Sequence, residues 1–398
     1  MLLFSSILAR HPLAVIVIAQ LLGTSLWFSV NGVALNLMQS VGLTEAGLGH
    51  LTLAVQLGFI SGTLLLATTG LADHFRASRV FAVSACFGAL TNALFIFAVD
   101  CTFAALLLRF LTGLSLAGVY PLGMKLVISW TPQYAGTALG WLVGMLTLGI
   151  ATPHLLRAMT PGLDWHVPLM LASLLAVLAA AIIYLLGEGR QLPASTGRGF
   201  PFRGLAAWRD KGFRQVNLGY FGHCWELYAF WTLVPILVTR EVLRLDASPG
   251  WVSWMAFVVV ASGMLGCVLG GYFSRVCGSL TVARVSLGGS GALCIFYPWI
   301  GELSPVLLLF LLVLWGILVV ADSPQFSALA SANAPREHLG SALAMMNSIG
   351  FALTLPSIAM VMALWPSLQL WVIYLLLPGP LVGFWAITRV MQKDLKEL

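Results

Sequence analysis

Six ionisable side chains lie well inside long apolar stretches of this 398-residue chain: Arg109, Lys125, His154, His223, Glu226 and Asp322. The densest chemistry is in Val216-Asn-Leu-Gly-Tyr-Phe-Gly-His223-Cys-Trp-Glu226-Leu-Tyr-Ala-Phe-Trp-Thr-Leu-Val-Pro235, inside an apolar run from about 213 to 238. A helix rises about 1.5 Å per residue and a bilayer core is about 30 Å thick, so such a run crosses a membrane once. Glu226 then falls near the middle. A carboxylate at that depth is costly, and it is expected to face a cavity or a partner and to carry a function. His223, three residues earlier, is expected on the same helical face. Burial disfavours a bare carboxylate charge, and imidazole exchanges protons readily, so the two together suit proton loading and release. The competing reading is a Glu226–His223 or Glu226–Arg109 pair that only ties helices together.

The elements that must position these groups are membrane spans. The chain is 60% hydrophobic and 9% charged, against about 25% charged in soluble domains. Twelve apolar runs are predicted, at about 12–37, 47–72, 79–99, 102–129, 134–158, 167–187, 213–238, 250–273, 281–300, 304–330, 339–364 and 368–390. The first is too long for a signal-peptide core and reads as a retained span. With the N-terminus inside, fifteen Lys and Arg fall in cytoplasmic segments and only Arg157, Arg240 and Arg244 in outer loops. That asymmetry predicts both termini in the cytoplasm. The net charge of +6 follows from these loops and does not point to nucleic acid. The six cysteines are scattered without a Cys-x-x-Cys pair, so neither a metal site nor a disulfide framework is expected.

A Gly-, Pro- and Arg-rich linker at 188–212 divides the chain into an N-terminal six-helix unit, 1–187, and a C-terminal one, 213–398. A solvated linker is the plain reading, a basic surface for anionic lipid headgroups the sharper one. The halves look duplicated. Pro121, Pro132 and Pro153 recur as Pro324, Pro335 and Pro356, and Gly113 as Gly316, all offset by 203. Gly136-Thr-Ala-Leu139 nearly matches Gly340-Ser-Ala-Leu343. Six spans per copy keep both copies in one orientation, which predicts two bundles facing each other across a central cavity.

Between spans 2 and 3 lies Thr69-Gly-Leu-Ala-Asp73-His-Phe-Arg76-Ala-Ser-Arg79, and between spans 8 and 9 Gly270-Gly-Tyr-Phe-Ser274-Arg275-Val-Cys-Gly278. Span 4 carries Arg109-Phe-Leu-Thr-Gly113. With twelve spans and a central linker, these motifs resemble the major facilitator superfamily (MFS). His74 and Arg76 depart from the family's loop pattern, and Ser274 replaces the acid in the second copy. The resemblance implies an all-α membrane protein of MFS fold, with 12 transmembrane helices as two pseudo-symmetric six-helix bundles. It implies that Asp73 pairs with Arg and a helix N-terminus to hold the cytoplasmic side shut, with Arg76 and Arg79 nearby. Span 5 has Gly140, Gly144 and Gly149 but not the Gly-Pro pair of the family's antiporters, and these glycines read as close packing.

In proteins of this kind spans 1, 4, 7 and 10 line the cavity. Span 1 offers Gln20, Thr24, Trp27, Phe28 and Asn31. Arg109 on span 4 suits a carboxylate through its planar fork, or serves structure or a proton relay. Lys125 either binds substrate or snorkels to the interface. Asp322-Ser323-Pro324-Gln325 on span 10 reads as a polar hinge, with Asp322 pairing Lys125 or Arg109 across the cavity. His154 is a gate contact or a structural histidine. Tyr120, Trp225, Tyr228 and Trp231 are aromatic wall or packing, and Asn347 is a further cavity candidate.

The expected function is secondary active transport by alternating access, as a proton-coupled symporter of a small anionic solute in a bacterial-type inner membrane. Glu226, His223 and Asp322 would carry the proton, and Arg109, Lys125, Asn31, Trp27, Tyr120, Trp225, Trp231 and Asn347 the solute. Asp73, Arg76, Arg79, His154 and Pro324 would gate. Proton-driven efflux of amphipathic drug-like compounds is the alternative, and a non-transporting sensor on the same fold is the alternative of another class. No phosphate-cradling loop is present, so ATP hydrolysis is not expected. No nucleophile–base spacing or metal cluster suggests an enzyme. The expected partners are a small solute, protons and lipid, without cofactor, metal or nucleic acid, and the protein is expected to be a monomer.

Overall fold

The computed structural model describes residues 8–69, 75–131, 135–189, 207–334 and 339–390, and the described residues are helical, without strands. In the first half, α1 (Pro12–Thr24), α2 (Ser29–Gly32) and α3 (Ala34–Val41) form one broken span. It is followed by α4 (Glu45–Thr69), α5 (Ala77–Leu94), α6 (Thr102–Trp130), α7 (Ala135–Met159) and α8 (His166–Leu186). The second half begins with α9 (Lys211–Arg244), α10 (Gly250–Cys277) and α11 (Ser279–Phe296). Then come α12 (Pro305–Ala321) and α13 (Ser323–Asn333) as another broken span, α14 (Leu339–Leu368) and α15 (Pro378–Thr388). Ten described stretches are long and apolar enough to cross a membrane. One of them, Met345–Thr388, is 44 residues long, enough for two crossings, while the broken first span is counted in pieces. The arrangement is consistent with twelve crossings.

The two breaks have different causes. Pro324 at the start of α13 has no N–H to continue the ladder, and the chain steps at Asp322. The first span breaks without a proline, and the carbonyls it frees are met by Arg109, as described below.

The duplication seen in the sequence is built into the packing. A Cβ on Gly58 would collide with the Phe110 carbonyl, and one on Gly113 with the Val55 carbonyl, so α4 and α6 touch backbone to backbone. In the second half Gly266 meets the Ile317 carbonyl and Gly316 the Val259 carbonyl, the same crossing between α10 and α12. Small residues permit this approach where lipid supplies no hydrophobic drive between helices.

The halves meet along α7 against α10, α4 against α14, and α2 against α9. Within the second half α9 is wrapped by α10, α12, α13, α14 and α15, and 83% of its apolar core is buried. A helix enclosed on all sides can carry polar groups through a membrane, because none of them need face lipid.

Candidate functional site

The face of α9 that meets the other half carries Tyr220, His223, Cys224, Leu227, Tyr228 and Trp231. Their spacings of three and four make one stripe. Across from it stand Tyr120 of α6, Val143, Leu146 and Thr147 of α7, and Phe351 of α14, with Val320 and Ser323 flanking the step in the tenth span. The space among them is about 30 Å³, room for one water.

His223 lies on that wall, and its Nδ1 is 2.7 Å from Asp322 Oδ1. The contact is angled away from a linear hydrogen bond, and neither atom has another partner. Both residues are almost fully buried, at 2% and 1% exposure. Asp322 therefore pairs within its own half, and the expected bridge to Lys125 or Arg109 across the cavity is not formed. Pro324 begins the helix that follows Asp322, so the hinge and the acid occupy one step of the backbone.

Of the two expected surroundings for Glu226, a cavity or a partner, the structure shows the partner. Glu226 is buried, but it faces α11 and α12 instead of the cavity. Ser290 Oγ donates to Oε2 at 2.9 Å, Trp315 Nε1 to Oε1 at 2.7 Å, and Cys294 Sγ approaches Oε1 at 3.6 Å. Residues three apart on a helix are displaced by about 60° around its axis. That angle sends the imidazole to the seam and the carboxylate to the interior of the bundle. Glu226→Gln is expected to lower the melting temperature by the equivalent of about 1–3 kcal/mol, because one of three buried donors loses its acceptor. The pH dependence of transport should stay as in the unmodified protein. Melting in detergent beside uptake at several pH values checks this, and a changed pH profile at unchanged stability would return Glu226 to the proton path.

Arg109 is likewise structural in its contacts. Its Nη1 donates to Ser29 Oγ and Asn92 Oδ1, both at 3.0 Å. Its Nη2 donates to the Trp27 carbonyl at 2.8 Å and more weakly to that of Leu26 at 3.4 Å. The guanidinium thus caps the break between α1 and α2, and it does not line the cavity. Trp225 turns the other way from its neighbours, donating to the Leu375 carbonyl at 2.8 Å. Asn31 donates to Thr52 Oγ1 at 3.1 Å within the first half. Lys125 and Asn347 are half-buried and are not among the cavity-lining residues. His154 is buried beside Pro153, against which Gly32 packs.

Trp27 marks the boundary between halves. Its Nε1 donates to Gln56 Oε1 at 2.9 Å, and Gln56 Nε2 donates across the seam to Thr354 Oγ1 at 3.0 Å. Trp27 also stacks on Phe351 at 6.1 Å, with Phe59–Phe351 at 4.7 Å and Phe28–Trp231 at 6.1 Å completing the layer. His223 sits five and eight residues before Tyr228 and Trp231, so this layer closes the cavity toward the ends of the bundle farther from the linker.

Of the expected gating residues, Asp73 lies outside the described residues. Arg76 and Arg79 are exposed. Among the described residues, Glu188 accepts from the Ala77 N–H at the start of α5 and suits the helix dipole there. Other polar features had no motif to announce them. Asn92 donates to the Leu169 carbonyl and to Ser173 Oγ. Glu241, fully buried, holds Arg240 and Arg244, and both arginines cap the Gly301 carbonyl. A polar residue inside an apolar run was the available signal for Gln56 and Asn92, whereas Glu241 lies beyond the apolar run that ends at 238.

Comparison with known proteins fits this geometry. Residues 16–356 match the Major Facilitator Superfamily. The niacin transporter NiaP of Acinetobacter baylyi is 26% identical over 300 residues, covering 60% of this chain and 66%, just under two thirds, of its own length. The structure of the nucleoside transporter NupG superposes with a TM-score of 0.76 at 14% identity, covering 96% of this chain and 100% of that one. A bacterial homologue of the human lysosomal transporter Spinster, inward-facing and unoccupied, gives 0.67 at 13% identity, covering 96% and 94%. The human organic anion transporter MFSD10 (TETRAN) gives 0.66 at 14% identity, covering 95% and 99%. With its two related halves, its seam of helix pairs and a family match over most of its length, this multi-pass membrane protein belongs to the Major Facilitator Superfamily, a family of transporters and not of enzymes.

Proposed function

We propose that the protein is a secondary active transporter that moves a small organic anion together with protons. The observation that carries the reading is the buried His223–Asp322 contact on the wall between the halves. A carboxylate and an imidazole in contact can share or surrender one proton, and burial makes that exchange sensitive to what else enters the site. The step at Pro324 gives the acid a mobile backbone. Parting of the Trp27–Gln56–Thr354 layer would open the cavity to one side, and closure there with opening at the linker side would complete alternating access.

The anion assignment rests on the niacin transporter relative, whose named solute is a small organic acid, and on the donors around the cavity. Among the described residues the lining includes no Lys or Arg, so the imidazole and neutral donors would meet the negative charge. The charge distribution supports an inner-membrane protein with both termini in the cytoplasm. A monomer is sufficient, since the cavity is formed by one chain.

The test is uptake of niacin into proteoliposomes under an imposed pH gradient. Accumulation that follows the gradient and collapses with a protonophore is expected. Equal uptake with and without the gradient would sink the proton-coupled reading.

A further inference from the structure

Three indoles in or around the second bundle have acceptors: Trp27 at the seam has Gln56, and, away from it, Trp225 has the Leu375 carbonyl and Trp315 has Glu226. Trp231 does not. Its Nε1 is buried without any hydrogen-bond partner, and the residue is 1% exposed. Trp208, at the opposite end of α9, also lacks a partner, but it stacks among Phe213 and Phe221. Trp231 alone of the two lines the central cavity, one turn of helix beyond Tyr228 and two beyond Cys224.

An indole N–H can only donate, and a buried donor without an acceptor destabilises the state that holds it. A buried group left unsatisfied in a native structure calls for an explanation such as a water, an ion or a functional contact, and in a site between two moving halves a bound ligand can supply the missing atom. The surroundings narrow the ligand. Tyr120, Tyr220, Tyr228 and Phe351 present aromatic rings to the same space, and the Tyr228 ring stands edge-on to Trp231 at 5.2 Å. Rings in such arrangements pair with another flat ring, stacked or edge to face. The cavity as it stands admits one water, so a ring enters only when the halves part.

We propose that Trp231 Nε1 reads the substrate, and that the substrate is a planar aromatic molecule bearing an acceptor oxygen on its ring, as a carboxylate or an amide carbonyl. This rests on the transporter reading above and adds the solute class and the residue that selects it. The hydrogen bond forms between Nε1–H and that oxygen while the tyrosines hold the ring. No proton is transferred at Trp231, so selection there is separate from coupling at His223 and Asp322.

Equilibrium binding to the purified full-length protein tests this without any gradient, so its outcome stands apart from that of the proton-coupling experiment. The probes are nicotinate, benzoate, nicotinamide and 3-methylpyridine. The first three carry the acceptor oxygen; the last keeps the ring nitrogen of the two pyridines and replaces the oxygen-bearing group with a methyl. Nicotinate or benzoate, nicotinamide, or all three are expected to bind and to raise the melting temperature, and 3-methylpyridine is not. Which of them binds says whether carboxylate or carbonyl is read. Trp231→Phe keeps a ring and removes the donor. It is expected to melt no lower than the unmodified protein when empty, and to bind the acceptor-bearing probes more weakly by on the order of tenfold. Trp231→His restores a ring nitrogen and is expected to recover part of the binding. The proposal is overturned if the unmodified protein binds none of the acceptor-bearing probes, if 3-methylpyridine binds equally well, or if Trp231→Phe binds them as tightly. It is also overturned if Trp231→Phe melts lower when empty and Trp231→His recovers no binding, since the side chain then serves packing.

Discussion

Asp322→Asn is expected to abolish accumulation of solute against a gradient while leaving downhill exchange in place. Asparagine has nearly the shape of aspartate and can occupy the same step before Pro324, so the fold should survive. What it cannot do is carry a proton. Across a pH difference of one unit, coupling to one proton is worth about 1.4 kcal/mol, a tenfold accumulation. The variant should therefore equilibrate at equal concentrations where the unmodified protein concentrates about tenfold. Counterflow, in which preloaded solute exchanges for labelled solute, needs no net proton movement and should continue. His223→Gln removes the other member of the contact and is expected to weaken coupling in the same direction. Radiolabelled niacin in proteoliposomes measures both modes. Accumulation by Asp322→Asn under a pH gradient would show that the proton travels elsewhere, and Glu226 would be the next group to examine.

That order of preference reverses what the linear sequence suggests, and the reason is angular. His223 and Glu226 are three apart and both lie deep in one span, so sequence spacing joins them. In the structure about 60° of helix rotation separates an imidazole at the seam from a carboxylate among Ser290, Cys294 and Trp315. Spacing identifies neighbours on a helix, but it does not say which side of a wrapped helix faces the cavity. That depends on the six helices around α9. The aromatic wall expected from the sequence holds for Tyr120, Tyr228 and Trp231, and the same three- and four-residue spacing extends it to Tyr220. Trp225 breaks that stripe, and it is the one aromatic of the proposed wall on α9 that turns away, toward Leu375.

The large features were legible because they follow from composition and repetition. Span positions come from apolar length, and the shared glycine crossing follows from Gly113 and Gly316 at one offset. The step at Asp322 follows from Pro324. The break in the first span was not legible, because no proline or glycine marks residues 25–28. Its freed carbonyls are met by Arg109, 82 positions from Trp27 in sequence.

Arg109→Met should produce the largest loss of stability of any single change at the polar sites described above. In the unmodified protein the charge is met by Ser29, Asn92 and the carbonyls of Leu26 and Trp27, and no ion pair to it forms among the described residues. Methionine fills much of the volume but donates nothing. The freed carbonyls then face a low-dielectric interior, at about 1–3 kcal/mol for each unsatisfied group. Asn92 and Ser29 still have each other, at 2.6 Å, so the expected total is on the order of 3–5 kcal/mol. Arg109→Lys should recover only part of this, since a single ammonium cannot span both the carbonyls and the Asn92–Ser29 pair. The loss should also spread. The Trp27 carbonyl held by Arg109 belongs to the residue whose indole fixes Gln56, and Gln56 bridges to Thr354 in the other half. Loosening the break should therefore weaken the closed layer as well as the first bundle. Monodispersity and melting of the detergent-solubilised variants measure the first effect. Labelling of a cysteine placed beside Thr354 measures the second, with faster labelling expected in Arg109→Lys. A variant that melts like the unmodified protein and loses only affinity for an anion would instead place Arg109 in the binding site. Its four contacts to neutral partners argue against that outcome.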